Sequence, residues 1–155
     1  MTAVLVAAIA GLVAGFATGS NVQTVHVRTD RGQTTILDLG SRGKSPGDVY
    51  LVSGNVFTAN GRTAIGRVRG TQTDIRLEHG VETVQAMLTY QLGAGNELVV
   101  GGLGSYPLKS TGLIKGKAFV RAVIGGTGKY AGAKGTVTTK QLANGDYDQV
   151  FKLTY

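Results

Sequence analysis

The sequence predicts an all-β fold, an antiparallel β-barrel of about eight strands. Three observations carry that expectation. From Asn21 onward Val, Ile, Thr, Tyr and Phe alternate with polar residues in short segments, and no stretch sustains a helical period. Turn chemistry interrupts those segments at regular intervals, supplied by 25 glycines against 2 prolines. One segment, Arg62 to Arg76, is long for a strand and carries Gly66 and Gly70 in its interior. Interior glycines weaken a flat strand but suit a coiled one, where a tight bend relieves the strain of closing a barrel. Closure also removes the exposed strand edges that promote aggregation. A β-sandwich is the alternative architecture, and alternation alone separates the two poorly.

The elements follow in order. Thr2 to Ala17 is uncharged, built almost entirely from Ala, Val, Leu, Ile, Gly and Phe, and ends in Gly15-Phe16-Ala17. That is the pattern of a secretory signal with cleavage after Ala17, although no Lys or Arg precedes it. The rival reading is an uncleaved membrane anchor, for which the apolar stretch is short of the roughly 20 residues that span a bilayer. With cleavage, the protein is secreted and its domain begins near Thr18.

Strands are predicted over Val22–Thr29, Asp48–Thr58, Arg62–Arg76, Val84–Leu92, Asn96–Leu103, Lys117–Ile124, Gly135–Gln141 and Tyr147–Tyr155. The clearest is Val84–Leu92, in which Val84, Ala86, Leu88, Tyr90 and Leu92 share one apolar face at period two. Asn60-Gly61 and Asn144-Gly145 are hairpin signals of the type I′ kind, and Gly93-Ala94-Gly95-Asn96 marks another turn.

Composition narrows the function. The 155 residues form one domain's worth of chain with no separate catalytic lobe. No cysteine is present, which removes thiolate nucleophiles, disulfides and zinc ribbons, and two histidines make a multi-histidine metal site improbable. Sixteen Lys and Arg against nine Asp and Glu give a net charge of +7, which favours an anionic partner. The basic residues, among them Lys44 and Arg121, are scattered and read as a solvated surface. With 6% aromatics and no RNA-recognition string, a nucleic-acid partner is not expected. Neither histidine stands in a nucleophile-elbow context, and no pair of carboxylates in hydrolase geometry can be inferred.

Gly125-Gly126-Thr127-Gly128-Lys129-Tyr130-Ala131-Gly132-Ala133-Lys134-Gly135 invites a phosphate-loop reading. It fails, because Val123 replaces the first glycine and Tyr130 the Ser/Thr that would bind magnesium. A dinucleotide fingerprint also fails, since no helix starts across Gly132 and Gly135. This string, preceded by Phe119–Ile124, instead resembles the hallmark of the allene oxide cyclase and dirigent superfamily. Pro46-Gly47-Asp48, Ile65–Gly70 and the aromatic strand Tyr147–Tyr155 support the resemblance, which covers residues 22 to 155.

The resemblance implies an eight-stranded antiparallel barrel with a lipophilic cavity, commonly a homotrimer. Plant members cyclise an unstable epoxide or steer phenoxy-radical coupling without a metal or organic cofactor, so no cofactor is expected. The reacting groups differ. Arg28 and Asp30 occupy the positions of the cyclase glutamate and asparagine, and Gln72 that of the cyclase cysteine. Ser53-Gly54 replace the paired dirigent aspartates, and Thr71, Gln72 and Thr73 lie where dirigent proteins have a tyrosine. Tyr106 falls two residues past the cyclase tyrosine, on the same face.

On the first strand, Thr24, His26, Arg28 and Asp30 share one face opposite Val25 and Val27. Facing the lumen, His26, Arg28 and Asp30 would form a polar wall able to hold a carboxylate, phenolate or enolate; facing solvent, they are surface residues. Both orientations remain open at this level. The substrate-binding set is therefore His26, Arg28, Asp30, Gln72, Tyr90 and Tyr106. The expected partner is a small hydrophobic, phenolic or carboxylate ligand, and the expected function is to steer its cyclisation or coupling by confinement. A filled barrel acting as a non-catalytic extracellular carrier or interaction protein is the alternative. Membrane contact is expected only through a retained residue 2–17 segment.

Overall fold

The computed structural model describes residues 21–108, 113 and 116–155; the proposed export segment lies outside them. Nine strands follow in order: β1 (Gln23–Thr29), β2 (Gln33–Leu37), β3 (Val49–Thr58), β4 (Ala64–Glu78), β5 (Val81–Leu92), β6 (Glu97–Pro107), β7 (Ala118–Thr127), β8 (Lys134–Gln141) and β9 (Tyr147–Thr154). A single 3₁₀ turn, Gly128–Tyr130, is the helical element among the described residues.

All pairings are antiparallel, in the spatial order β1-β9-β8-β7-β6-β5-β4-β3-β2. β1 closes the ring by pairing with β9 from Gln23↔Leu153 to Thr29↔Tyr147 and with β3 at Val27↔Thr58 to Thr29↔Val56. β2 then takes over the rest of the β3 edge, from Gln33↔Ser53 to Leu37↔Val49. β1 and β2 together act as one bent stave, so the architecture is a closed eight-stranded barrel. The sandwich alternative is excluded.

β2 is absent from the sequence expectation because all five of its residues are exposed, leaving no buried face to generate alternation. β6 runs on to Pro107 past the expected Leu103. The hairpin positions hold but two turn types differ. At Asn60-Gly61 and Asn144-Gly145 only the glycine has positive φ, and its N–H returns to Thr58 or Leu142, whereas a type I′ turn needs both central residues there. The pair with positive φ at both positions is His79-Gly80, between β4 and β5.

The apolar face of β5 points inward as expected, with Val84, Ala86, Leu88, Tyr90 and Leu92 all buried. At the end where β5 finishes, the lumen is solid. Leu92, Leu98, Tyr130, Ala133, Phe151 and Leu153 pack there, and the 3₁₀ turn lays Tyr130 across the opening. The glycine-rich string is thus a plug. A Cβ on Gly126 would collide with the Tyr130 and Glu97 carbonyls, so only glycine lets the turn approach the strand end.

At the other end, the β2–β3 connection packs against β4 and β5, through Gly47 N–H to the Asp74 carbonyl and Lys44 to Glu82. The buried Asp48 carboxylate accepts backbone N–H groups from Leu39 (3.1 Å), Gly40 (3.3 Å) and Ser45 (2.8 Å), which hold it below the usual carboxylate range. Lys44 forms an ion pair with Glu82 rather than standing in solvent as its sequence context implies. Beside it, Tyr50 donates its hydroxyl to Asp74 at 2.9 Å. Burial raises both Asp74 and Glu82 above their ordinary values, and Asp74 Oδ1 has no partner among the described residues.

Two predictions follow from this packing. Gly70 backs directly onto the Met87 carbonyl, whereas a Cβ on Gly125 meets open space. Gly70→Ala is expected to cost about 1–3 kcal/mol in denaturant unfolding, with Gly125→Ala within about 1 kcal/mol of the native chain; equal losses at both would refute the close-approach explanation. The raised carboxyl of Asp74 means the folded state holds its proton more tightly than the unfolded chain. Its stabilising contribution is complete below the ordinary value of 3.8 and is lost as pH rises through the folded value. Asp74→Asn should therefore gain thermal stability over the native chain progressively as pH rises above the ordinary value of 3.8 and through the raised folded value; a pH-independent difference would contradict it.

Candidate functional site

Above the packed half, the lumen encloses a cavity of about 160 Å³. Its apolar wall comes from Val52 on β3, Val68 on β4 and Leu88 on β5. Its polar wall comes from the ends of β6 to β9 nearest the mouth: Tyr106, Arg121, Thr139, Tyr147 and Gln149, with Tyr90 below. The division reflects strand direction, since β6 to β9 present their inward residues toward packed Leu, Val and Phe at one end and toward polar side chains at the other.

Tyr90 meets Phe151 edge-on, ring centroids 5.1 Å apart, which ties the cavity floor to the core. Burial raises the Tyr90 hydroxyl, against a smaller opposing pull from Arg121, and burial likewise raises Tyr147. Both are protonated at neutral pH, so each hydroxyl has a hydrogen available to donate. Thr139 donates to Gln149 Oε1 at 2.6 Å, and Gln149 Nε2 donates to Thr29 Oγ1 at 3.4 Å, a buried relay across β8, β9 and β1.

Arg121 is the largest departure from the sequence reading. Rather than joining a solvated surface, it is 7% exposed, donates to the Tyr106 hydroxyl at 2.8 Å and lies over the Phe119 ring at 4.4 Å. Gly104 creates the room, because a Cβ there would strike the Phe119 ring and the Arg121 guanidinium. Alternation could have found it: in Phe119-Val120-Arg121-Ala122-Val123, Arg121 falls in register with Phe119 and Val123, and Val123 is core.

Of the six expected site residues, Asp30, Gln72, Tyr90 and Tyr106 are brought together on the cavity wall. His26 and Arg28 are not. They stand on the outer face of β1, where His26 Nε2 lies 2.8 Å and Arg28 Nε 3.8 Å from Asp148 Oδ1. Val27 and Thr29 occupy the buried side instead, so the polar wall of β1 faces outward. Asp148 thus belongs to an ion-pair cluster on that outer face. Asp30 escapes the alternation because the strand ends at Thr29 and the chain bends. Its carboxylate accepts the Asn55 backbone N–H at 2.9 Å and Nδ2 at 2.8 Å, pinning that bend to β3. Thr29, Arg31, Phe119, Thr139, Tyr147 and Gln149 are wall residues that the sequence reading missed.

Among the described residues the lining contains no histidine and one carboxylate, Asp30. Its groups can enclose a flat apolar body, donate hydrogen bonds from phenols and hold negative charge at Arg121. They form no nucleophile–base pair.

No protein-family model matches the sequence, and no curated protein does. Solved structures do. The chain superposes on pyocyanin demethylase with a TM-score of 0.70 at 24% identity, over 85% of this chain and 100% of that one. It superposes on the pterocarpan synthase dirigent protein GePTS1 with a TM-score of 0.63 at 16% identity, over 88% and 86%. The Diels-Alderase AbmU from Streptomyces koyangensis gives 0.62 at 12% identity, over 89% and 70%. At these identities the shared property is the fold: this chain has the closed antiparallel barrel seen in these dirigent and Diels-Alderase structures.

Proposed function

We propose that the barrel binds a small, mostly apolar, ring-containing molecule in its half-open lumen and steers the cyclisation or coupling of that molecule by confinement. The single observation that carries this reading is the cavity itself, walled on one side by aliphatic side chains and on the other by phenols and an arginine. Its 160 Å³ is close to the about 150 Å³ that admits benzene in an engineered cavity, so it accommodates one ring, with anything larger extending through the mouth. Fixing one conformer of a reactive molecule needs shape and a few hydrogen bonds rather than an acid–base dyad, which fits the lining. Dirigent proteins and Diels-Alderases on the same fold lend support. A carrier that holds its ligand without turnover is the second reading, favoured by the mutual hydrogen bonding of Thr139, Gln149 and Thr29.

A panel of phenols, small aromatic carboxylates and hydrophobic fluorescent probes tests the cavity by titration. One-to-one binding is expected, weakened about tenfold or more by Val68→Phe, which fills the lumen; absence of stoichiometric binding across the panel would dismiss the reading. Enantiomeric excess in the product of a spontaneously closing substrate separates a steering protein from a carrier, for which the product stays racemic.

The same proposal includes export directed by residues 2–17 and assembly into a homotrimer. Met87, Leu103, Val120 and Ile124 expose apolar side chains on the adjoining outer faces of β5 to β7, a surface a second copy would cover. Light scattering and amino-terminal sequencing of the exported product test both. A trimer beginning near Thr18 is expected; a monomer contradicts the assembly, and an intact Met1 contradicts cleavage.

A further inference from the structure

The lumen contains a positive charge that the described protein leaves without a counter-ion. Arg121 is buried, and no Asp or Glu lies within 4.0 Å of it among the described residues. One Nη donates to Tyr106 at 2.8 Å, the guanidinium plane rests on Phe119, and Nε is buried with no hydrogen-bond partner among the described residues. Among the described residues the cavity wall carries one other cation, Arg31, and one carboxylate, Asp30, whose oxygens are engaged by Asn55. Buried charges are ordinarily paired or hydrogen-bonded to completion, because removal from water is otherwise too costly. Stacking on a ring offsets only part of that cost.

Tyr106 adds direction. Its oxygen already accepts from Arg121, so its own hydrogen is free to donate elsewhere. Arg121 and Tyr106 thus meet as one hydrogen-bonded pair of cavity-lining residues, the guanidinium short of acceptors and the phenol with its O–H still to give. Tyr90 and Tyr147, the other phenols of the wall, are neutral at neutral pH as ordinary phenols are, and burial raises them further.

We infer that Arg121 and Tyr106 form an oxyanion-holding subsite, and that the ligand of the cavity is a flat ring or enol bearing a charged oxygen: a carboxylate, a phenolate or an enolate. The inference rests on the cavity reading above and assigns its charge. A guanidinium fork and a polarised hydroxyl in a site screened from water favour the ionised form of such an oxygen over the neutral one. Charge developing on that oxygen during ring closure or tautomerisation is stabilised by the same pair.

Calorimetry with benzoate and its neutral isostere benzamide, and absorbance titration of p-nitrophenol, test this on the full chain. Benzoate should bind about tenfold tighter than benzamide or better, and bound p-nitrophenol should ionise about one pH unit or more below its free value. Arg121→Met should erase both effects, leaving benzoate no tighter than benzamide, and Arg121→Lys should restore part of the preference. Equal affinities in the native chain, or a benzoate preference that survives Arg121→Met with an unchanged aromatic circular-dichroism spectrum, overturns the inference and leaves the cavity standing. Should neither ligand, nor p-nitrophenol, bind the native chain, the cavity reading falls and this assignment falls with it.

Discussion

Insertion of β1 between β9 and β3 is the constraint on which everything else in the barrel depends. Each backbone donor and acceptor along a strand has to be satisfied, and a sheet with two free edges leaves a row of them open. β1 supplies partners to both edges at once, and its register with β9 turns Val27 and Thr29 inward and His26 and Arg28 outward. The strand is too short to cover the whole β3 edge. The chain therefore bends at Asp30–Gly32 and continues as β2, and that bend lines the cavity. Gly32, with φ of 64°, lies so close to the Ser53 carbonyl that a side chain could not be placed there.

The lumen divides into halves with opposite physics. One is a dry core stoppered by Tyr130, in which aliphatic and aromatic groups exclude water from the strand ends. The other contains phenols, amides, hydroxyls and a guanidinium, and it is hollow. Stability and binding are thus assigned to different ends of the same strands, with Tyr90 and Phe151 in edge-to-face contact at the boundary. The β2–β3 connection has its own polar cluster: Asp48 organises it, and the backbone bonds Gly47 N–H to Asp74 O and Asp74 N–H to Asp48 O stitch it to β4.

The glycine-rich string illustrates how a recognisable sequence signature can be structural. Its conformation is set by Gly128, with φ of 59°, packed against the Gly95 carbonyl and Asn96, while Asn96 Oδ1 accepts the Lys129 N–H at 3.0 Å. Those contacts seal the barrel at the end remote from the cavity. A fold can therefore keep this string while the groups on the cavity wall differ from those of the plant cyclases and dirigent proteins.

The sequence by itself determined the all-β class, the inward face of β5 and the hairpin positions, and favoured a barrel over a sandwich, because period-two alternation and glycine placement are local consequences of the pleat and of positive φ. It pointed to Tyr90 by its alternation on β5, and to Gln72 and Tyr106 through the family resemblance, and all three line the cavity. It left the orientation of β1 open and omitted β2, since a strand with mixed or uniformly exposed faces carries no phase. Arg121 was legible in principle from its alternation with Phe119 and Val123, yet a lone cation among scattered ones reads as surface. Only closure of the ring assigned an inside, and with it came the burial of Arg121 over Phe119, the space left by Gly104 and the outward turn of His26 and Arg28. Those facts depend on which strands meet across more than a hundred residues of chain, information that no local pattern contains.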